Sequence, residues 1–243
     1  VPAAGTCSSP GCNNYQFYNP HWQLRQFSLS TCVSERTGTH AYTDASPQTA
    51  PLGWNYPSTN NPCIANEIIP LSSDKANLKL KIDQLVAAGS TAGHIGVAWG
   101  WYMLSPNFGY LWPAASRPAQ YGAEKLQKVA VLMTDGEYNS SYCNGVIAKS
   151  STAGSGSSFD HINCNAPNGS SFSQATELCT KMKEKGITVY TVGFQIVNDP
   201  SAQNLMNSCA SSPSHAYVAN SGTALVDAFK NIAMRISELR LSK

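Results

Sequence analysis

The sequence predicts an α/β fold: a doubly wound, mostly parallel sheet with helices on both faces and long, disulfide-rich loops. Two segments, Val129 to Thr134 (VAVLMT) and Ile187 to Phe194 (ITVYTVGF), are rich in β-branched and aromatic residues and bounded by turns or Gly, as buried parallel strands are. Segments of helical periodicity lie before, between and after them. A strand, a crossover helix and a second strand make a βαβ unit whose connection is expected to be right-handed.

Residues 1–70 read as a loop-rich, disulfide-containing insertion of the same domain and not as a separate core. Pro, Asn, Ser and Gly recur there in short clusters, with one weak strand from Leu24 to Leu29. Residues 71–243 form the main part of the domain. Ser73 or a neighbour caps a helix from Asp74 to about Ala88, with Leu78, Ile82 and Leu85 on one face and Gly89 as a stop. A second helix is expected from Ala92 to Leu104, ending before Pro106. Between the two strands lie a Ser-, Asn- and Gly-rich insertion from Glu137 to about Ser171 and a helix from Ser173 to Lys185. The rhythm then repeats: a helix from about Pro200 to Ala210, a short strand from His215 to Ala219, and a last helix near Thr223 to Leu241. Leu225, Phe229, Ile232, Ile236 and Leu239 recur on that last helix as a core-facing stripe, the alternative being a partner-binding coiled coil.

Length, 243 residues, fits one large domain with loop insertions or two small ones, and one is the prior. Charged residues make up only 12% of the chain, against roughly a quarter in ordinary globular domains. The formal charge is +2 with no run of Lys and Arg, so nucleic acid is not an expected partner. No apolar run approaches the roughly 18 residues that span a bilayer, and membrane attachment is expected only through an upstream anchor. The eight cysteines, Cys7, Cys12, Cys32, Cys63, Cys143, Cys164, Cys179 and Cys209, include no C-x-x-C pair. An even set of this kind favours disulfides in an oxidising compartment, periplasmic or extracellular. Nearest-neighbour pairing would join 7 with 12, 32 with 63, 143 with 164 and 179 with 209, one connectivity among many.

Ligands of doubly wound folds bind at the carboxyl edge of the sheet, and Asp135 follows VAVLMT directly, in MTDGEYN. Gly136 lets the chain leave the strand tightly, so the carboxylate can project into the crevice; the plainer alternative is a loop-capping Asp. Thr91, in GSTAGHIGV, stands at the mouth of a helix, where its hydroxyl is either a cap or a neutral ligand for a hard cation.

Together these elements resemble the von Willebrand factor A domain. That family's metal-ion-dependent adhesion site takes a D-x-S-x-S loop after the first strand, a Thr from a second loop and an Asp from a third; Thr91 and Asp135 match the second and third. CVSERTG, AYTDASP, GWYMLSP, KVAVLMTDGEYN, the pair Cys179 and Cys209, and the closing ELRLSK resemble TadG-like proteins of tight-adherence (Flp) pilus assembly. The resemblance implies a non-catalytic binding and assembly module of a bacterial envelope, with a protein partner and a divalent cation such as Mg²⁺. No D-x-S-x-S motif is present: Asp44 and Ser46 in TDASPQ lack the second Ser and read as a turn. In the family that loop, the first strand and a membrane anchor lie upstream of the region matched here. Two oxygen side chains fall short of the about six ligands Mg²⁺ takes, so the site is incomplete in this chain and weak binding is expected. A strand at Val129 without that first strand is expected to leave an unpaired edge.

Other readings compete. A purely structural domain with a decayed metal site is one. Zinc held by Cys143, His161, Cys164 and Asp160 is another, against which stand the disulfide partners of both cysteines. A phosphotransferase using Asp135 as nucleophile needs a second carboxylate and a Lys; Glu137 is near, but Lys128 lies at the other end of the strand. His94 is expected to be a packed or surface histidine and not a base. GSGSS, from Gly154, lacks the leading strand of a nucleophile elbow and reads as a flexible loop.

Overall fold

A computed structural model describes residues 13–151 and 157–241 of the chain. Strands are β1 (Asn14–Tyr18), β2 (Leu24–Ser28), β3 (Val33–Ser34) and β4 (Gly53–Trp54), followed by helices α1 (Lys75–Asp83) and α2 (Gly93–Leu104). Then come β5 (Val129–Thr134), β6 (Tyr142–Cys143), β7 (Val146–Ile147), α3 (Ser171–Glu184), β8 (Thr188–Phe194), α4 (Pro200–Cys209), β9 (Ala216–Ala219) and α5 (Gly222–Leu241). The molecule is mixed α/β.

Its centre is a parallel sheet in the order β5–β8–β9, with Val129 opposite Thr188 and Thr191 opposite Ala216. Strand β8 lies between two neighbours and is buried from Val189 to Gly193. Its side chains alternate between two layers, as strand geometry requires. Val189, with Ala130 and Leu132 of β5, faces α2, α3 and α4 through Val97, Trp101, Leu178, Met182, Leu205 and Met206. Tyr190 and Val192 face α5 through Ala228 and Ile232. Helices therefore pack on both faces of β8, and among the described residues the strand order does not reverse.

Local signals explain the helix limits. Ser170 accepts the Ser173 N–H at the start of α3, and Gly186, at φ +74°, follows its end. Asp199 caps α4 ahead of Pro200. Helix α1 is capped by Asp74 and stops at Asp83, short of Ala88, and none of its residues is buried. Leu80 and Ile82 on the helix, and Leu85 just past its end, are exposed rather than packed on the core. On α5, Ile232 is buried, Leu225 and Ile236 pack beside it, and Phe229 is exposed; the Leu239 side chain lies outside the described residues.

The amino-terminal segment contributes to a core that it shares with a later part of the chain. Tyr15, Phe17 and Tyr56 pack with Cys143, Val146, Ala148, Ile162 and Ala166 in a second cluster, so the amino-terminal segment and the 137–171 insertion share a core. The antiparallel hairpin β1–β2 supplies one side of it. Hairpin β6–β7 supplies the other, turning on Asn144 and Gly145, both at positive φ, the geometry a two-residue hairpin turn demands. Disulfides join Cys32 to Cys63, Cys143 to Cys164 and Cys179 to Cys209. Cys7 and Cys12 lie outside the described residues, as do residues 154–156 of GSGSS. The disulfides fit an extracellular or envelope protein. Among the described residues no helix is long and apolar enough to cross a membrane.

Strand β5 pairs only with β8 among the described strands, leaving its other edge open. Val131 and Met133, 39% and 48% exposed, stand on its uncovered face.

Candidate functional site

Asp135 is exposed at the carboxyl end of β5, where the chain leaves the sheet. Gly136 follows at φ +142° and donates its N–H to Thr134 Oγ1 (3.3 Å), so the turn closes on its own strand and the carboxylate points to solvent. Glu137, also exposed, extends the acidic lip. From the end of β8, Asp199 approaches the same turn: its Oδ2 lies 3.6 Å from where a Cβ on Gly136 would stand, while its Oδ1 accepts the Ala202 N–H (3.0 Å).

Thr91 is exposed just before α2 and is tied to the loop that follows Asp135. Its N–H donates to Asn139 Oδ1 (2.8 Å), and its carbonyl accepts from the N–H groups of Asn139 (3.0 Å) and Ser140 (3.1 Å). Tyr138, within that loop, packs against Gly93 so closely that a Cβ there would overlap its ring, and stacks on Phe172. Burial pushes the Tyr138 hydroxyl up to about 12. The two segments singled out in the sequence thus meet as one rim, by contacts of Asn139, Ser140 and Tyr138 that the sequence reading did not identify.

Thr91 and Asp135 carry the oxygen donors that a hard cation prefers. Two such side chains do not complete a coordination shell, and among the described residues no three His, Cys, Asp or Glu side chains gather into a metal-holding group. Asp44 does not supply the missing ligand. It is buried beyond the carboxyl end of α2, where it accepts from Ser105 Oγ (2.5 Å), Tyr121 OH (2.7 Å) and Asn107 Nδ2 (3.2 Å). Helix α2, about 18 Å long, separates it from Thr91.

Lys128, Cys143, Cys164 and His94 are each engaged in contacts away from Asp135. Lys128 Nζ donates to the carbonyls of Leu104 (2.8 Å) and Ala119 (2.6 Å), at the end of β5 opposite Asp135, and burial lowers its pKa. Cys143 and Cys164 are bonded to each other and so are not thiolate ligands. His94 Nδ1 lies 2.6 Å from Ser171 Oγ and its Nε2 3.4 Å from Glu35 Oε2, a Ser–His–Glu line that the sequence separates widely. His94 is 0% and Ser171 2% exposed, and the cavity beside them, about 10 Å³, has room for one water at most. The line joins the residue after β3 to α2 and α3 as a buried polar strut.

No family model matches the chain, and no curated protein matches it. Two crystal structures of the pilus adhesin SpaC from Lactobacillus rhamnosus GG, one in its open conformation, are similar at TM-scores of 0.44 and 0.43 and 19% identity. Each alignment covers 68% of this chain and 21% of the adhesin, so the chain spans about one fifth of that protein's length.

Proposed function

We propose that the chain is a non-catalytic binding and assembly module of von Willebrand factor A type, serving a bacterial envelope pilus or adhesion system. One observation carries this reading: Asp135 stands exposed at the carboxyl end of a parallel strand, on a rim that its own loop knits to Thr91. The motifs that resemble TadG-like proteins and the open edge of β5 support the finer assignment to that sheet type. In this proposal the rim recognises a protein partner. A divalent cation belongs to it as a shared ligand, Thr91 and Asp135 giving two oxygens and the partner or further residues giving the rest. The sealed His94 and the distant Lys128 favour binding over catalysis.

The test is calorimetric titration of Mg²⁺ and Mn²⁺ into the chain and its Asp135→Ala variant, paired with photo-crosslinking from position 137 in intact envelopes. Weak cation binding lost in the variant, with an Asp135-dependent crosslink to one envelope protein, is the expected result. A crosslink that persists without any cation effect removes the metal and keeps the module. Neither signal leaves the structural alternative, a domain held by disulfides whose rim binds nothing.

A further inference from the structure

Trp22 stands 73% exposed at the tip of the β1–β2 hairpin, at φ +60°, a backbone region bulky residues rarely occupy. Such a conformation costs on the order of 1–3 kcal/mol and persists only where its surroundings over-determine it. Here the buried Asn19 does so. Its Oδ1 accepts the N–H groups of His21 (3.0 Å) and Gln23 (2.9 Å), and its carbonyl accepts that of Trp22 (2.9 Å). Asn19 Nδ2 donates to the Phe159 carbonyl (3.1 Å), and the His21 ring stacks on Phe159 at 4.4 Å, which ties the tip to the turn Ser158–Asp160. The indole is therefore held out in water by a rigid turn and gains little packing in return.

The surface leading to it is built to one pattern. Cross-strand partners share a face, and on the outer face Asn14 stands opposite Ser28, Gln16 opposite Gln26 and Tyr18 opposite Leu24. Ser28 Oγ donates to Asn14 Oδ1 (2.9 Å) and Gln16 Nε2 to Gln26 Oε1 (2.6 Å), so amides and hydroxyls are fixed in pairs along the strip. Tyr18 then meets Trp22, with ring centroids 6.2 Å apart. None of these side chains is charged. Arg25, the one charged residue of the hairpin, points to the other face, where it pairs with Asp160 at 2.7 Å.

We infer that this face is a binding strip for a neutral glycan of pyranose units. Aromatic rings stack on the C–H faces of sugars, and paired amides and hydroxyls exchange hydrogen bonds with sugar hydroxyls. Single-stranded nucleic acid also stacks on aromatic rings, but it requires cations along the backbone track, and none of the strip's side chains named above is charged. The strip spans about 13 Å from Asn14 to Tyr18, long enough for more than one sugar ring. It lies on the second core, apart from the Asp135 rim, so the inference stands independently of the proposed module.

The test is a printed array of neutral glycans, including chitohexaose, cellohexaose and mannohexaose, with heparin as the anionic control, probed with the wild-type chain, Trp22→Ala and Asp135→Ala. The expected result is capture by at least one neutral glycan, weakened about tenfold or more in Trp22→Ala and unchanged in Asp135→Ala. Circular dichroism checks that Trp22→Ala folds, and Trp22→Phe, which keeps a ring, is expected to retain partial binding. Retention by heparin alone, no capture by any neutral glycan, or equal capture by Trp22→Ala overturns the inference. Self-association abolished by Trp22→Ala, without glycan capture, would assign the face to a second copy and overturn it equally.

Discussion

Gly93 and Tyr138 touch where α2 begins, with no room for a side chain between the helix backbone and the ring. Because this contact seats the loop after Asp135 against the helix that Thr91 precedes, it fixes the rim by packing as well as by hydrogen bonds. Gly93→Ala must displace either the ring or the helix start. Overpacking of this kind costs about 1–3 kcal/mol. A lowered urea midpoint with an unchanged slope is expected; a midpoint equal to wild type would show that the loop shifts freely and that the rim is not rigid.

Ser171→Ala probes the buried strut. The substitution leaves His94 Nδ1, 2.6 Å from the lost hydroxyl, without that partner in a buried site. Ala is a good residue for the first turn of a helix, so the loss isolates the hydrogen bond. An unsatisfied buried group costs about 1–3 kcal/mol, and chemical denaturation should register a decrease in that range. A change under about 0.5 kcal/mol would mean that His94 finds another acceptor or donor.

What the sequence disclosed and what it withheld follow from the range of each signal. Strands β5 and β8 and helices α3, α4 and α5 were legible because burial on a repeating face leaves a period within the segment itself. Hairpin β6–β7 was equally legible and was overlooked: Asn144–Gly145 between Cys143 and Val146 is a strong local turn signal. Strand β1 alternates, with Tyr15 and Phe17 turned inward, but its five residues are too short to stand out in a Pro- and Asn-rich stretch. Helix α1 shows the reverse. Its spacing states which residues share a face and is silent on whether anything covers that face. At the rim, Thr91 and Asp135 were visible as residue types at element ends. Their connection through Asn139, 48 residues from Thr91, is a tertiary contact that no local pattern encodes.

Two disulfides of nearly equal span separate the entropic part of their stabilisation from packing. Cys32–Cys63 closes 31 residues and Cys179–Cys209 closes 30, so loop closure alone assigns each about 3.7 kcal/mol. Cys179 and Cys209 are both 0% exposed, joining α3 to α4 in the main core, whereas the other pair is only half-buried. Double replacement by Ala should therefore cost more at 179 and 209, by about 1 kcal/mol for the cavity left behind. Urea denaturation of the two double variants measures the difference; equal losses would refute the packing contribution.

His161 predicts how stability responds to pH. The ring is buried, and desolvation lowers its pKa below the ordinary value of 6.5 despite the opposing charge of Asp160. His215 is shifted the same way by burial and by Arg235. With the folded pKa below the unfolded one, the unfolded chain binds more protons once the pH falls under about 6.5, so stability decreases from there toward the folded pKa. Above that window the two states bind protons equally at these sites, and the curve is flat on their account. Denaturation midpoints at pH 7.5 and pH 5.0 should differ in wild type, differ less in His161→Asn, and differ least when His215→Asn is added. An unchanged difference in the double variant would place the pH response on groups other than His161 and His215.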